Sequence, residues 1–397
     1  MKSYKSIFTY YTYTMLILLS ITSCHRFEEE EPSYNRTVLI YMAAENSLSS
    51  FLQEDIDEIT QAIGDIPQNS HLLVYLDDYN LPRILSVEQQ QGRRPVCKTL
   101  HQYTSEHNSG DTETLRLALD WTSENFPSDS YGLVLWSHGS SWMPAKSPAQ
   151  RAICQDTQDH SNSWMNIKDI AEALEGFPQM EFILFDACWM QSVEVAYELR
   201  NTAHYLLGSP AEIPGPGAPY QYITKALFST PFDANEVIYQ YYNYYSTYPK
   251  GYGAALSAVD CSVLGELLEV TSEMIAKHMA IGNGDNDFNG VQKYVLRYNE
   301  SYSRPDYYDM NSYMKKLLPE EDYTQWKAVF DRVVPYLYTT ERFTSSQRDY
   351  GTIDLPIDVE EYGGMSCFVP QHIHPELNKA FQSTSWYVAA GWQQAGW

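Results

Sequence analysis

The sequence predicts an α/β fold: a mainly parallel sheet with helices on both faces, followed by a C-terminal α+β portion. Three observations carry this. Short apolar runs alternate with segments of helical periodicity. The runs are continuously apolar, as strands buried on both faces require. A composition of 44% hydrophobic and 19% charged residues over 397 positions describes a globular chain long enough for a substantial core. In such a sheet, ligands sit beyond the carboxyl ends of the strands.

The first residues stand apart from the fold. Lys2 and Lys5 precede an apolar and aromatic run, Ile7 to Ile21, and small residues lead directly into Cys24. This resembles a bacterial lipoprotein signal. Residues 1–23 are then removed, Cys24 is lipidated, and the mature chain is held at a membrane by its lipid anchor, extracytoplasmic, in the outer membrane or on the cell surface. Residues 24–36, with the acidic run Glu28 to Glu31, read as a solvated tether.

From there the elements follow in order. Thr37–Ala44 is a buried strand, and Phe51, Ile56, Ile59 and Ile63 recur at helical spacing within the next segment. His71–Asp78 is a strand, and Arg83–Gln89 with Pro95–Leu100 form a short β pair. Asp111–Phe126 is a helix with acids in its first turn, and Tyr131–Trp136 a strand. Met165–Phe177 is a helix, Glu181–Phe185 a strand and Ser192–Tyr205 a helix. These elements form a catalytic core over residues 37–224. The remainder, 225–397, is read as extending or flanking the sheet: a tyrosine-rich helix over Asn235–Tyr248, a strand over Tyr252–Asp260, helices over Leu267–Ala280 and Thr324–Tyr338, and a strand over Gly363–Pro370.

Charge and cysteine usage narrow the function classes. A formal net charge of −25 argues against nucleic acid as a partner, since phosphate neutralisation needs cations. Beyond Cys24 there remain Cys97, Cys154, Cys188, Cys261 and Cys367, an odd set that cannot pair completely. No C-x-x-C spacing is present, which excludes a thiolate zinc cluster of the usual kind. Cys261 and Cys367 lie at strand-like ends; the sequence does not fix whether any of Cys97, Cys154, Cys261 and Cys367 pair.

Two strands end in chemistry. One terminates in Ser137, His138 and Gly139, the other in Asp186, Ala187 and Cys188, with one helix-bearing crossover between them, so both loops are expected at the same sheet edge. A nearby imidazole or a helix N-terminus converts a thiol into a nucleophilic thiolate, and Cys188 precedes a helical segment whose amides could contribute. His138 is then the acid that protonates a leaving amine. Gly139, lacking a side chain, lets its N–H join that of Cys188 in an oxyanion hole.

Five blocks in order, Arg36–Leu48, Asn108–Leu115, Leu133–Trp142, Phe185–Leu199 and Glu212–Tyr220, resemble the clostripain family of cysteine peptidases, relatives of caspases. Tyr307–Leu317 and Gly363–Pro370 are similar to the family's C-terminal portion. The resemblance implies a caspase-like sheet, a Cys188–His138 dyad, and cleavage of proteins or peptides after arginine or lysine. It also implies that Asp186 lies in the pocket for the basic P1 side chain; by itself, such an acid commonly ends a strand by binding backbone amides. Ala218 departs from the bulky aromatic that many relatives carry there. Family members are often activated by self-cleavage between the histidine and cysteine strands, where Lys146 and Arg151 are the basic positions; Arg151 is preferred as lying further from the histidine strand.

Other readings carry less weight. No cofactor is expected, with calcium as the one possibility. Asp285, Asp287 and Asn289 precede Gly290 like the start of a calcium loop, but position twelve of that frame is Leu296 where glutamate is needed. His372 and His374 have no evident third ligand. A catalytically silent peptide- or glycan-binding lipoprotein on the same fold is the alternative function. A serine hydrolase lacks any G-x-S-x-G nucleophile elbow.

Overall fold

Strand β1 (Arg36–Ala43) is buried along its whole length because both of its faces and both of its edges are covered. It pairs in parallel with β2 (His71–Asp77) on one side. Beyond β2 lie the antiparallel strands β3 (Arg83–Glu88) and β4 (Val96–Gln102). On its other side β1 pairs in parallel with β5 (Ser130–Trp136). The computed structural model describes residues 35–88, 95–143, 152–157, 162–248, 252–280, 287–294, 307–347 and 351–397.

A small hairpin of β6 (Ile153–Asp156) and β7 (Ser163–Met165) follows β5. The sheet continues with β8 (Met180–Asp186) and β9 (Ala203–Gly208), both parallel, then β10 (Ala255–Asp260), which is antiparallel. Two-residue β11 (Tyr308–Asp309) lies apart, and β12 (Tyr336–Thr339) closes the far edge, giving the order β12-β10-β9-β8-β5-β1-β2-β3-β4. The pair β13 (Arg342–Gln347) and β14 (Gly351–Pro356) is separate, and β15 (Ser366–Cys367) pairs with β11.

Alternation along the central strands divides the core into two layers. Leu39, Tyr41, Leu133, Leu135, Ile183 and Phe185 face the helices Thr112–Asn125, Ile167–Ala173 and Val193–Leu199. Their neighbours Ile40, Met42, Val134, Trp136, Phe182 and Leu184 face the helices Leu52–Gln61, Tyr220–Leu227 and Ala234–Ser246. Each large apolar side chain so buried contributes roughly 1.5–3 kcal/mol relative to exposure. The expected doubly covered, mostly parallel sheet is thus present, with its parallel strands at the centre.

Three readings of the second half differ from the structure. The helix expected over Ser192–Tyr205 ends at Leu199, and β9 takes up the rest: Leu206 and Leu207 enter opposite layers, and pairing with β8 outweighs helical propensity. The helix read through Tyr338 stops at Val333 because Pro335 cannot continue it, and the following tyrosines form β12. Gly363–Pro370 supplies only the two residues of β15, outside the main sheet. Residues Asn35–Trp397 form one compact unit, into which β10 and β12 are built as sheet strands. Among the described residues no two cysteines are joined in a disulfide.

Candidate active site

The register of β5 and β8 decides where the chemistry lies. Trp136 pairs with Asp186 as the last residues of adjacent parallel strands, and Ser137 N–H donates to the Asp186 carbonyl at 3.3 Å. His138 and Cys188 each follow two residues later, at the same carboxyl edge. The loops touch there: a Cβ on Gly139 would stand 2.5 Å from the Cys188 carbonyl oxygen and 3.0 Å from the Ala187 Cβ. Glycine at 139 is what allows this approach. An isolated bridge joins Gly139 to Ile153, carried by Ser140 N–H donating to the Ala152 carbonyl at 2.7 Å.

Several groups hold the histidine loop. Ser137 is buried; its Oγ donates to the Ala43 carbonyl at 3.1 Å and accepts from Gln155 N–H at 3.0 Å, tying β1, β5 and β6 together. The His138 Nε2 lies 2.8 Å from Ser47 Oγ, and the ring centroid is 6.3 Å from that of Trp164. Ser47 opens a 3-10 turn capped by Asn46, whose side chain accepts from Leu48 N–H. Neither Ser47 nor Trp164 carries a sequence signal of its own, since each reaches the site only through the fold.

On the cysteine side, the helix Val193–Leu199 begins five residues after Cys188 and is capped by Ser192, so its amides are not at the thiol as the sequence suggested. Ile213 N–H approaches instead, 3.4 Å from Cys188 Sγ. The loop is fixed by Trp189, whose N–H donates to the Ala211 carbonyl and whose indole donates to the Tyr294 carbonyl. Gln191 Nε2 donates to the carbonyls of Leu206 and Ser257, each at 3.1 Å, and the Gln191 carbonyl accepts from Ser366 N–H. Cys188 is half-buried, whereas burial pushes the Cys97 thiol up to about 11, the Cys261 thiol up to about 12, and raises those of Cys154 and Cys367 as well.

Asp186 is 3% exposed; its Oδ1 accepts from Ala218 N–H and its Oδ2 from the Tyr220 hydroxyl, both at 2.9 Å. Gly217, at φ 70°, passes so near that a Cβ would lie 2.9 Å from Oδ2. Burial pushes the Asp186 carboxyl up to about 6 against these two donors. The same layer holds two acids that sequence reasoning missed. Asp55 accepts from the Trp136 indole at 2.9 Å through Oδ2, and its buried Oδ1 has no hydrogen-bond partner. Burial, then the charge of Asp186, pushes it up to about 9. Glu58, one helical turn on, is pushed up to about 7 by burial while the Tyr220 and Gln221 amides oppose the shift. Three carboxyl groups held above their usual range form a region that favours an incoming cation.

The remaining candidates fall elsewhere. Cys24, Lys146, Arg151 and Asp285 lie outside the described residues. Ala152, the first described residue after the loop that carries Lys146 and Arg151, accepts from Ser140 N–H at 2.7 Å through its carbonyl. Asp287 accepts from Asn289 N–H and pairs with Lys316 at 3.1 Å, an Asx turn on the surface. His372 packs on Trp397, and His374 precedes the helix Pro375–Phe381. No helix among the described residues is long and apolar enough to cross a membrane.

Comparison with known proteins bears on the family and the fold. The family model described as "Clostripain family" matches residues 40–396. Clostripain from Hathewaya histolytica is 28% identical over 218 residues, covering 47% of the chain but only 41% of the length of clostripain. A solved structure of a secreted C11 cysteine protease from Bacteroides thetaiotaomicron, in complex with an irreversible peptide inhibitor, superposes with a TM-score of 0.80 at 30% identity, covering 91% of this chain and 99% of that one. An inactive zymogen C11 protease from Parabacteroides distasonis gives 0.78 at 30% identity, covering 89% and 97%.

Proposed function

The chain belongs to the clostripain family, and from that premise we propose that it is a cysteine endopeptidase that hydrolyses peptide bonds after arginine or lysine. The observation that carries the reading is the parallel register Trp136 to Asp186, which sets His138 and Cys188 equally far beyond two adjacent strands. Cys188 is the nucleophile: its thiolate sulfur attacks the scissile carbonyl carbon, and the Ile213 amide favours the ionised sulfur. With Nε2 engaged by Ser47, we assign proton transfer to His138 Nδ1, which protonates the departing amine and then deprotonates the water that releases the acyl group. The amides of Gly139 and Cys188 receive the oxyanion. Asp186, with Asp55 behind it, binds the P1 guanidinium or ammonium. The peptide-inhibitor complex of the Bacteroides relative supports a peptide substrate.

Activation by self-cleavage between His138 and Cys188 is part of this reading, and the relative described as an inactive zymogen supports it. Short fluorogenic peptides with Arg, Lys, Asp or Asn at P1 test the whole. Hydrolysis confined to basic P1, with a fragment beginning at Ala152 in the active protein, is the expected result; a fragment beginning at Ser147 would assign the cut to Lys146. Turnover of acidic P1, or none of any peptide, would overturn the reading, the latter in favour of a binding lipoprotein.

We place the protein outside the cytoplasm, lipidated at Cys24, a reading supported by the lipobox-like N-terminus and by the secreted Bacteroides relative. Metabolic labelling with a radioactive fatty acid should mark the parent chain and not Cys24→Ser. Equal labelling of both would remove the anchor assignment.

A further inference from the structure

The histidine loop and the cysteine loop each leave the sheet edge through a non-glycine residue in the left-handed region. Ser141, three residues after His138, has φ 61°, and Trp189, next to Cys188, has φ 59°. A side chain as bulky as tryptophan is strained there and persists only where its surroundings fix it. Both loops take their support from one place. The Trp189 indole donates to the Tyr294 carbonyl at 3.2 Å, and the Tyr307 hydroxyl donates to the Ser140 carbonyl at 2.8 Å. Tyr294 N–H in turn donates to the Tyr307 carbonyl at 3.0 Å, beside an antiparallel bridge of Lys293 and Tyr308. Both tyrosines are buried. The Tyr294 hydroxyl is itself anchored on the buried Asp309, whose carboxylate also accepts from Ser312 and Gly363 N–H.

One hydrogen-bonded pair of residues thus holds the cysteine loop with one member and the histidine loop with the other. We propose that Tyr294 and Tyr307 form a clamp that sets the geometry between Cys188 and His138, and that the Tyr307 hydroxyl is a positioning group for the peptidase reaction. Its effect on turnover rests on the peptidase reading. Proton transfer between a nucleophile and its acid needs hydrogen-bond reach, and a misplacement of about 1 Å can lower the rate about 10²-fold. The Ser141 hydroxyl, which donates to Ser192 Oγ at 2.7 Å, joins the two loops directly and is a second support. Tyrosine is needed at 307 for its oxygen, because phenylalanine would fill the same space and leave the Ser140 carbonyl without this donor.

Tyr307→Phe removes one oxygen and keeps the ring in the core. In the full chain it should lower kcat for a peptide with arginine at P1 by about 10-fold to 100-fold, with KM within about threefold of the parent. Trp189→Phe, which keeps an apolar ring and loses the indole N–H, should do the same. The double variant should lose little more than the worse single one, since both release one geometry. Tyr313→Phe removes a buried hydroxyl that has no hydrogen-bond partner among the described residues, and should stay within about twofold of the parent. Alkylation of Cys188 by iodoacetamide needs no turnover; it should be about fivefold slower in Tyr307→Phe and in Trp189→Phe, because a displaced imidazole supports less thiolate. A parent that cleaves no peptide, with alkylation slowed in both variants, would remove the peptidase reading and keep the clamp. Alkylation within twofold of the parent in both variants would overturn the clamp whatever the parent cleaves, as would single losses in kcat that multiply in the double variant, or an equal loss in Tyr313→Phe.

Discussion

Replacing Cys188 by alanine is expected to lower kcat/KM for a peptide with arginine at P1 by about 10⁴-fold or more, with the fold intact. The size follows from the role: without the sulfur no acyl-enzyme forms, and His138 and the oxyanion donors are left with only water to activate. Structural damage is an insufficient explanation for such a loss, because Cys188 is half-buried and alanine keeps its backbone bonds and Cβ. Cys97→Ala is the companion control. That thiol sits on edge strand β4, at the opposite end of the sheet from β12, and is held up to about 11 by burial. Its replacement should leave kcat/KM within about twofold. Residual activity in Cys188→Ala within tenfold of the parent would remove Cys188 from the chemistry.

Asp186→Asn should lower kcat/KM by about 30-fold to 1,000-fold for basic P1 and leave neutral P1 substrates nearly unchanged. The isosteric amide can still accept from Ala218 N–H and can donate to the Tyr220 oxygen, so the turn around Gly217 keeps its supports. Stability separates this from a folding defect. The folded carboxyl titrates at about 6, above its unfolded value of about 3.9, so its contribution is fully present below pH ~4 and is lost as pH rises through 6. At pH 8 the buried charge costs on the order of 3 kcal/mol, which asparagine avoids. The variant should therefore melt higher than the parent at pH 8, and the gain should vanish near pH 4. Equal losses for basic and neutral P1 would make Asp186 a strand-end support and no more.

How much of this was legible depended on whether the signal was local. β5 and β8 announce themselves as apolar runs ending in Ser137-His138-Gly139 and Asp186-Ala187-Cys188, because a fully buried strand leaves its first polar residues at its exit. β9 and β12 did not, since Thr202–Tyr205 and Tyr336–Tyr338 continue helices in pattern and become strands only through pairing with β8 and β10. Asp55 and Glu58 look like the solvated face of an amphipathic helix, and it is Trp136 and the Tyr220 turn that cover them.

The two Gln191 bonds, one to parallel β9 and one to antiparallel β10, have an evolutionary corollary. With Tyr294 and Ser366, the Ser257 bond makes the chain past residue 224 part of the scaffolding of the nucleophile's own loop. Recombination that swapped everything past residue 224 for a foreign module would leave that loop unbraced, so an engineered chimera has to carry both halves from one parent.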